Sequence, residues 1–253
     1  MRLSDEFVRS GSWLFRWRSY LPFLFLPLIL IAAIRCPVID SHPILHFVWS
    51  LLSLSVSLLG LAIRCHCIGH AAEATSGRNT KSQVAESLNI TGFYSVVRHP
   101  LYLGNFLIAF GIVMHASALW LVVIYIMAFA LYYERIMFAE EAFLQNKFGC
   151  EFMAWSTQTP AFLPRLRQWK KAEFPMDFPK VIRAETAAVA VIAFAFPALE
   201  FVMHHATEGS VAVENSWYAL LASGVVLYAV ARVMKRRLRR WLKYERILYA
   251  AAK

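Results

Sequence analysis

The stretch Leu101–Tyr133 reads LYLGNFLIAFGIVMHASALWLVVIYIMAFALYY, an apolar run interrupted near His115-Ala116-Ser117. It forms either one very long helix or an antiparallel pair, and the flanking charges decide between them. A hairpin at His115–Ser117 puts the N-terminus, the polar segments Ala71–His99 and Glu134–Glu185, and the C-terminus on one side of a bilayer. Lys and Arg then number 4 in the N-terminal arm, 4 in Arg64–Arg98, 8 in Arg135–Arg183 and 9 from Arg232 onward, 25 of the 26, with Arg35 alone opposite. A single helix would separate Arg98 from the cations that follow and destroy this asymmetry. Cytoplasmic loops are the ones that retain Lys and Arg, so the hairpin is expected, with both termini cytoplasmic.

Four further spans follow from the same reading: about Tyr20–Ile34, which contains Pro22 and Pro27, then Ile44–Ile63, Thr186–Met203 and Trp217–Met234. Hydrophobic residues make up 59% of the 253-residue chain and charged residues 17%, whereas a soluble protein carries about a quarter charged. The expected fold class is therefore all-α, a polytopic transmembrane helical bundle of about six spans with cytoplasmic interfacial helices. It forms one integral membrane domain over 1–253: N-terminal spans and loop over 1–89, a core over 90–165, and two further spans with a basic tail over 166–253. The net charge of +10 belongs to loops flanking apolar segments and comes with no nucleic-acid-binding module, so the partner is a membrane and not nucleic acid.

At the N-terminus, Trp13, Phe15, Trp17 and Tyr20 are interleaved with Arg16 and Arg18, which reads as a short interfacial helix leading into the first span. The tail Lys235–Lys253 carries Leu238, Trp241, Leu242, Leu248 and Tyr249 on one stripe among basic residues and reads as a surface-lying amphipathic helix. Glu200 and His204, one turn apart, read as an interfacial pair. Cys36, Cys65, Cys67 and Cys150 are too scattered for a disulfide framework. Cys65 and Cys67 would point about 200° apart on a helix, so the run Cys65-His66-Cys67 with His70 is assigned no metal.

Chemistry concentrates in two segments. In Gly92-Phe-Tyr-Ser-Val-Val-Arg98-His99-Pro100-Leu101-Tyr102-Leu103-Gly104-Asn105, Pro100 marks a helix start and holds Arg98 and His99 extended before it. The free N–H groups of the first turn favour an anion, and Gly104 opens the backbone to a ligand. An interfacial anchor is the plainer alternative, since Arg, His and Tyr all favour that depth. The second segment, Arg135-Ile-Met-Phe-Ala-Glu140-Glu141-Ala-Phe-Leu-Gln-Asn-Lys147-Phe148-Gly149, sets two carboxylates just past a span. Anionic headgroups repel them, and they suit a ligand bearing ammonium, sulfonium or hydroxyl groups. A solvated helix face is the alternative there.

Taken together, Arg98, His99, Pro100, Tyr102, Gly104, a hairpin, then Arg135, Glu140, Glu141, Phe148 and Gly149 resemble the isoprenylcysteine carboxyl methyltransferase and phospholipid methyltransferase superfamily over roughly Ile90–Arg165. The resemblance implies that 90–165 is a methyltransferase core with an S-adenosyl-L-methionine pocket at the cytoplasmic face. It implies cofactor contacts from His99, Pro100, Tyr102, Leu103, Gly104, Glu140 and Glu141, and catalytic roles for Arg98, His99, Arg135 and Glu141. Phe152 and Trp155 stand where the family often has tyrosines. Methyl transfer from a sulfonium is an in-line displacement in which positioning and charge complementarity carry the catalysis, so no metal is required.

For the acceptor, Gly77-Arg78-Asn79-Thr80-Lys81-Ser82 looks like the corresponding part of bacterial methyltransferases that cap a lipid A phosphate. Arg78, Lys81 and Arg165 would then grip a phosphate while acyl chains stay in the bilayer, in a bacterial inner membrane. A prenylcysteine carboxylate is the alternative acceptor. A sterol-type membrane reductase and a non-enzymatic lipid-binding or transport protein are the alternatives from other classes.

Overall fold

The structure, a computed structural model, describes residues 3–35, 43–72, 86–209 and 215–251. Every regular element among these is helical: α1 Leu3–Trp17, α2 Leu26–Arg35, α3 Pro43–Gly69, α4 Pro100–His115, α5 Leu119–Phe148, α6 Cys150–Ser156, α7 Phe178–Glu208 and α8 Asn215–Ala251. The all-helical membrane bundle read from the sequence is the fold observed. Arg78 and Lys81 lie outside the described residues.

Among the described residues, fewer than six helices are long and apolar enough to cross a membrane by themselves. α3, α5, α7 and α8 are long and apolar enough to cross a membrane, and the first two segments, Leu3–Trp17 and Leu21–Arg35, make a fifth if counted as one span bent by 82°. α4 has 16 residues, about 24 Å at 1.5 Å per residue, short of a hydrocarbon core of about 30 Å. The bend at residues 18–20 lays α1 across α5, where Phe7 meets Phe138 edge-on at 5.7 Å and the Tyr132 hydroxyl donates to the Leu14 carbonyl. The aromatic, basic N-terminal helix expected from the sequence is thus formed. The tail differs: α8 runs unbroken for 37 residues, so the basic segment continues the last span instead of turning away from it.

The hairpin forms where expected. α4 ends at His115, and Ser117 turns the chain with φ 55°. The Trp49 indole of α3 donates to the Met114 carbonyl beside the turn. Antiparallel pairing then sets Phe110 beside Tyr125, Phe106 beside Phe129 and Tyr102 beside Tyr133. Beyond the turn, Glu200 is buried between His115, 3.2 Å away, and His46, 3.5 Å away, rather than sitting exposed at an interface.

α3 and α4 pack through small residues. Ser53, Ser57 and Gly60 face Gly104, Ile108 and Gly111, and the Ser57 hydroxyl donates to the Ile108 carbonyl at 2.8 Å. A Cβ on Gly60 would stand 2.6 Å from the Gly104 carbonyl oxygen and 2.8 Å from the Ile108 nitrogen. Gly60→Val is expected to destabilise the detergent-solubilised protein by about 1–3 kcal/mol, read as a lowered thermal midpoint. An unchanged midpoint would mean that the helices do not approach this closely.

Candidate functional site

The start of α4 is set by backbone pairing with a distant loop. Arg98 and His99 donate their N–H groups to the carbonyls of Pro160 and Ala161, and Arg165 donates back to Val96. Gly92 pairs with Lys170, whose N–H meets the Ser95 hydroxyl. Pro100 then opens the helix, as its fixed φ and missing N–H favour. Tyr102 and Leu103 spend their N–H groups on the His99 carbonyl, so the anion-favouring first turn expected from the sequence is reduced to the N–H of Leu101.

α5 brings its carboxylates to this point. His99 Nε2 lies 2.9 Å from Glu141 Oε1, and its Nδ1 lies 3.6 Å from Glu140 Oε2. The Tyr102 hydroxyl donates to Glu140 Oε2 at 2.7 Å, and its ring stacks on the His99 imidazole at 5.5 Å. Arg98 Nε is 2.9 Å from Glu141 Oε1, while its Nη1 donates to the Ser156 carbonyl. Five residues of the sequence reading, Arg98, His99, Tyr102, Glu140 and Glu141, are therefore one array. His99 is buried, whereas the two carboxylates are 31% and 26% exposed, which leaves them open to a ligand.

The remaining residues are placed otherwise. Arg135 points to α1, where its guanidinium covers the Phe7 ring at 4.8 Å and meets the Ser10 hydroxyl. Five and six residues along a helix, Glu140 and Glu141 face elsewhere. Leu103 packs with Ile63, Cys67, Val96 and Val97 in the core. The space over Gly104 holds Arg64, whose Cγ would be 2.4 Å from an added Cβ; the glycine admits a neighbouring helix. Pro100 is buried and Arg165 exposed. Phe152 is buried, and the Trp155 indole donates to the Tyr94 carbonyl. Cys67 lies in the core, and among the described residues no group of three metal-ligating side chains is placed to hold an ion.

A second polar chain adjoins the array. Arg64 of α3 donates through Nε and Nη2 to both oxygens of Glu185 on α7, and through Nη1 to Asn105 Oδ1. Asn105 Nδ2 donates to the Tyr133 hydroxyl at 3.1 Å. The sequence reading gave Asn105, Tyr133 and Glu185 no role. Glu185 carried a usable signal, an acidic residue at the threshold of an apolar run. Tyr133 carried none, because an aromatic at a span end is ordinary.

Residues 49–151 match the phospholipid methyltransferase family. The motif resemblance is borne out over this segment, which begins in α3, ends in α6 and contains the whole array. α7, α8 and Glu185 lie beyond it. The nickel-cobalt-cadmium resistance protein NccN of Alcaligenes xylosoxydans xylosoxydans is 32% identical over 139 residues, 54% of this chain and 62% of its own length. The cobalt-zinc-cadmium resistance protein CzcN of Cupriavidus metallidurans is 33% identical over 119 residues, 47% of this chain and 52% of its own length. The matches thus span less than two thirds of either relative. No solved structure matches the chain.

Burial works against a charge on His99, but hydrogen bonds and charge from Glu140 and Glu141 outweigh it and raise its pKa above the usual 6.5. A raised folded-state value means that the charged contacts stabilise fully below the unfolded pKa and fade as pH rises through the folded one. His99→Gln is therefore expected to lower the thermal midpoint most near about pH 6 and progressively less at alkaline pH. A midpoint difference that grows with pH would contradict a protonated His99.

Proposed function

We propose that the protein is an S-adenosyl-L-methionine-dependent membrane methyltransferase whose acceptor is a lipid phosphate oxygen. The observation that carries the reading is the array of Arg98, His99, Tyr102, Glu140 and Glu141, all inside the matched segment. The residues fit the cofactor. Glu140 Oε1 and Glu141 Oε2 take no part in the contacts described above, so each carboxylate keeps an oxygen for an ammonium or a ribose hydroxyl. When bound, the cofactor supplies an electrophilic methyl on a sulfonium centre.

This chain's own residues position and neutralise. Glu140 and Glu141 hold a cationic end, His99 fixes both carboxylates, and Arg98 ties Glu141 to the end of α6 at Ser156. A phosphate oxygen is already anionic at neutral pH and requires no base. Arg165, exposed and paired through its backbone with Val96, would meet an anionic headgroup together with Arg78 and Lys81. Methylation removes one negative charge from such a phosphate. A surface with fewer charges holds fewer divalent cations, which fits the metal-resistance names carried by the two relatives.

Orientation belongs to the same proposal: the array faces the cytoplasm, with both termini on that side. Reporter fusions at His115 should read as external and at Arg167 as internal. An external signal at Arg167 would place the array on the wrong face.

The direct test incubates the full chain with labelled S-adenosylmethionine and separate lipid classes. Label is expected in phosphorylated lipids such as lipid A, reduced by Arg78→Ala. His99→Ala and Glu141→Gln should weaken S-adenosylhomocysteine binding at near wild-type yield. Label confined to a prenylcysteine analogue would move the acceptor to a carboxylate. Binding of NADPH in place of S-adenosylhomocysteine would replace the reaction class altogether.

A further inference from the structure

The polar chain Glu185–Arg64–Asn105–Tyr133 crosses four helices, α7, α3, α4 and α5, and each bond in it has a forced direction. Glu185, 1% exposed, accepts. Arg64 has only donors and uses three of its N–H groups on Glu185 and Asn105. Asn105 must therefore turn its carbonyl oxygen to Arg64, which leaves its NH₂ group for Tyr133. Amide orientation is usually a matter of assignment, but an arginine on one side removes the choice. The Tyr133 oxygen thus accepts, and its own proton has to point elsewhere.

Among the described residues the contacts of the Tyr133 hydroxyl do not include an acceptor for that proton. Its ring lies 4.8 Å from the Tyr102 ring, and Tyr102 is bonded to Glu140. A phenol beside the array is thus held as a donor. We propose that Tyr133 donates a hydrogen bond to an oxygen of the bound ligand, and that Glu185 and Arg64 are positioning residues that fix its direction through Asn105. The inference rests on the methyltransferase reading. It also makes α7, which lies outside the family-matched segment, part of the reactive unit.

Asn105→Asp is the sharpest probe, because it keeps the shape and the acceptor for Arg64 while removing the donor to Tyr133. The Tyr133 proton then turns back to residue 105 and is lost to the ligand. Asn105→Asp and Tyr133→Phe are each expected to reduce methyl transfer about tenfold, the loss of one hydrogen bond. In the Tyr133→Phe background, Asn105→Asp and Glu185→Gln should cost nothing further. Multiplicative losses would mark a merely structural role and overturn the inference, as would a fully active Asn105→Asp. Because Glu185→Gln leaves the buried Arg64 guanidinium without its counter-charge, a folding failure in that variant is answered by Asn105→Asp alone.

Two arms identify the ligand oxygen. Weakened S-adenosylhomocysteine binding in Tyr133→Phe assigns it to the cofactor, while intact binding with a lowered kcat assigns it to the methyl acceptor. Wild-type protein that labels neither lipid vesicles nor a prenylcysteine analogue would overturn the methyltransferase reading, and this inference with it. Active wild type with an unimpaired Tyr133→Phe would overturn this inference alone.

Discussion

The close approach of α3 and α4 is the constraint from which the rest of the arrangement follows. In a lipid solvent, apolar side chains gain little by meeting each other, and helices associate where small residues let backbones touch. Ser53, Ser57 and Gly60 on one side and Gly104 and Gly111 on the other provide that seam, with no room for an added methyl at Gly60, Gly104 or Gly111. At its end the stem of Arg64 lies over Gly104, in space that any other residue would fill. A guanidinium is thereby placed among three helices, where an unpaired charge would be costly. Glu185 answers it with two oxygens, and that pair ties α7 to the α3–α4 unit.

The α4–α5 pair is placed by a different device. Aromatic contacts step along the hairpin from Phe110 and Tyr125 through Phe106 and Phe129 to Tyr102 and Tyr133. That ladder fixes register, and register decides which residues of α5 reach the start of α4. Glu140 and Glu141 arrive about two turns past the ladder's end, against His99 and Tyr102. The loop pairing of Arg98 and His99 with Pro160 and Ala161 holds the other half still. Neither half alone would make an array.

Charge asymmetry made the hairpin legible, because one alternative topology stranded Arg98 away from the cations that follow it. The array was legible through its motif, since Arg98, His99 and Tyr102 sit within five residues and the Glu pair is adjacent. What failed was phase and length. Arg135 shares a segment with the Glu pair but faces α1, and only helix geometry in context reveals it. Gly104 read as space for a ligand because a sequence does not show which neighbour fills that space. Six spans were expected because apolar composition alone admitted α4, whose 16 residues are short for a crossing. Glu185 lies 121 positions from Arg64, beyond the reach of any local pattern.

The two networks are built differently around their charges. Arg64 and Glu185 form a pair of one cation and one anion, joined by two hydrogen bonds. In the array, Arg98 and His99 face Glu140 and Glu141, and the Arg18 guanidinium acts on Glu140 as well. Burial works against a charge on His99, and the carboxylates outweigh it and raise its pKa, so groups of opposite sign favour one another's charged forms. A site of mixed sign suits the reaction proposed above, in which a cationic sulfonium and an anionic phosphate enter together and methyl transfer leaves less charge on both.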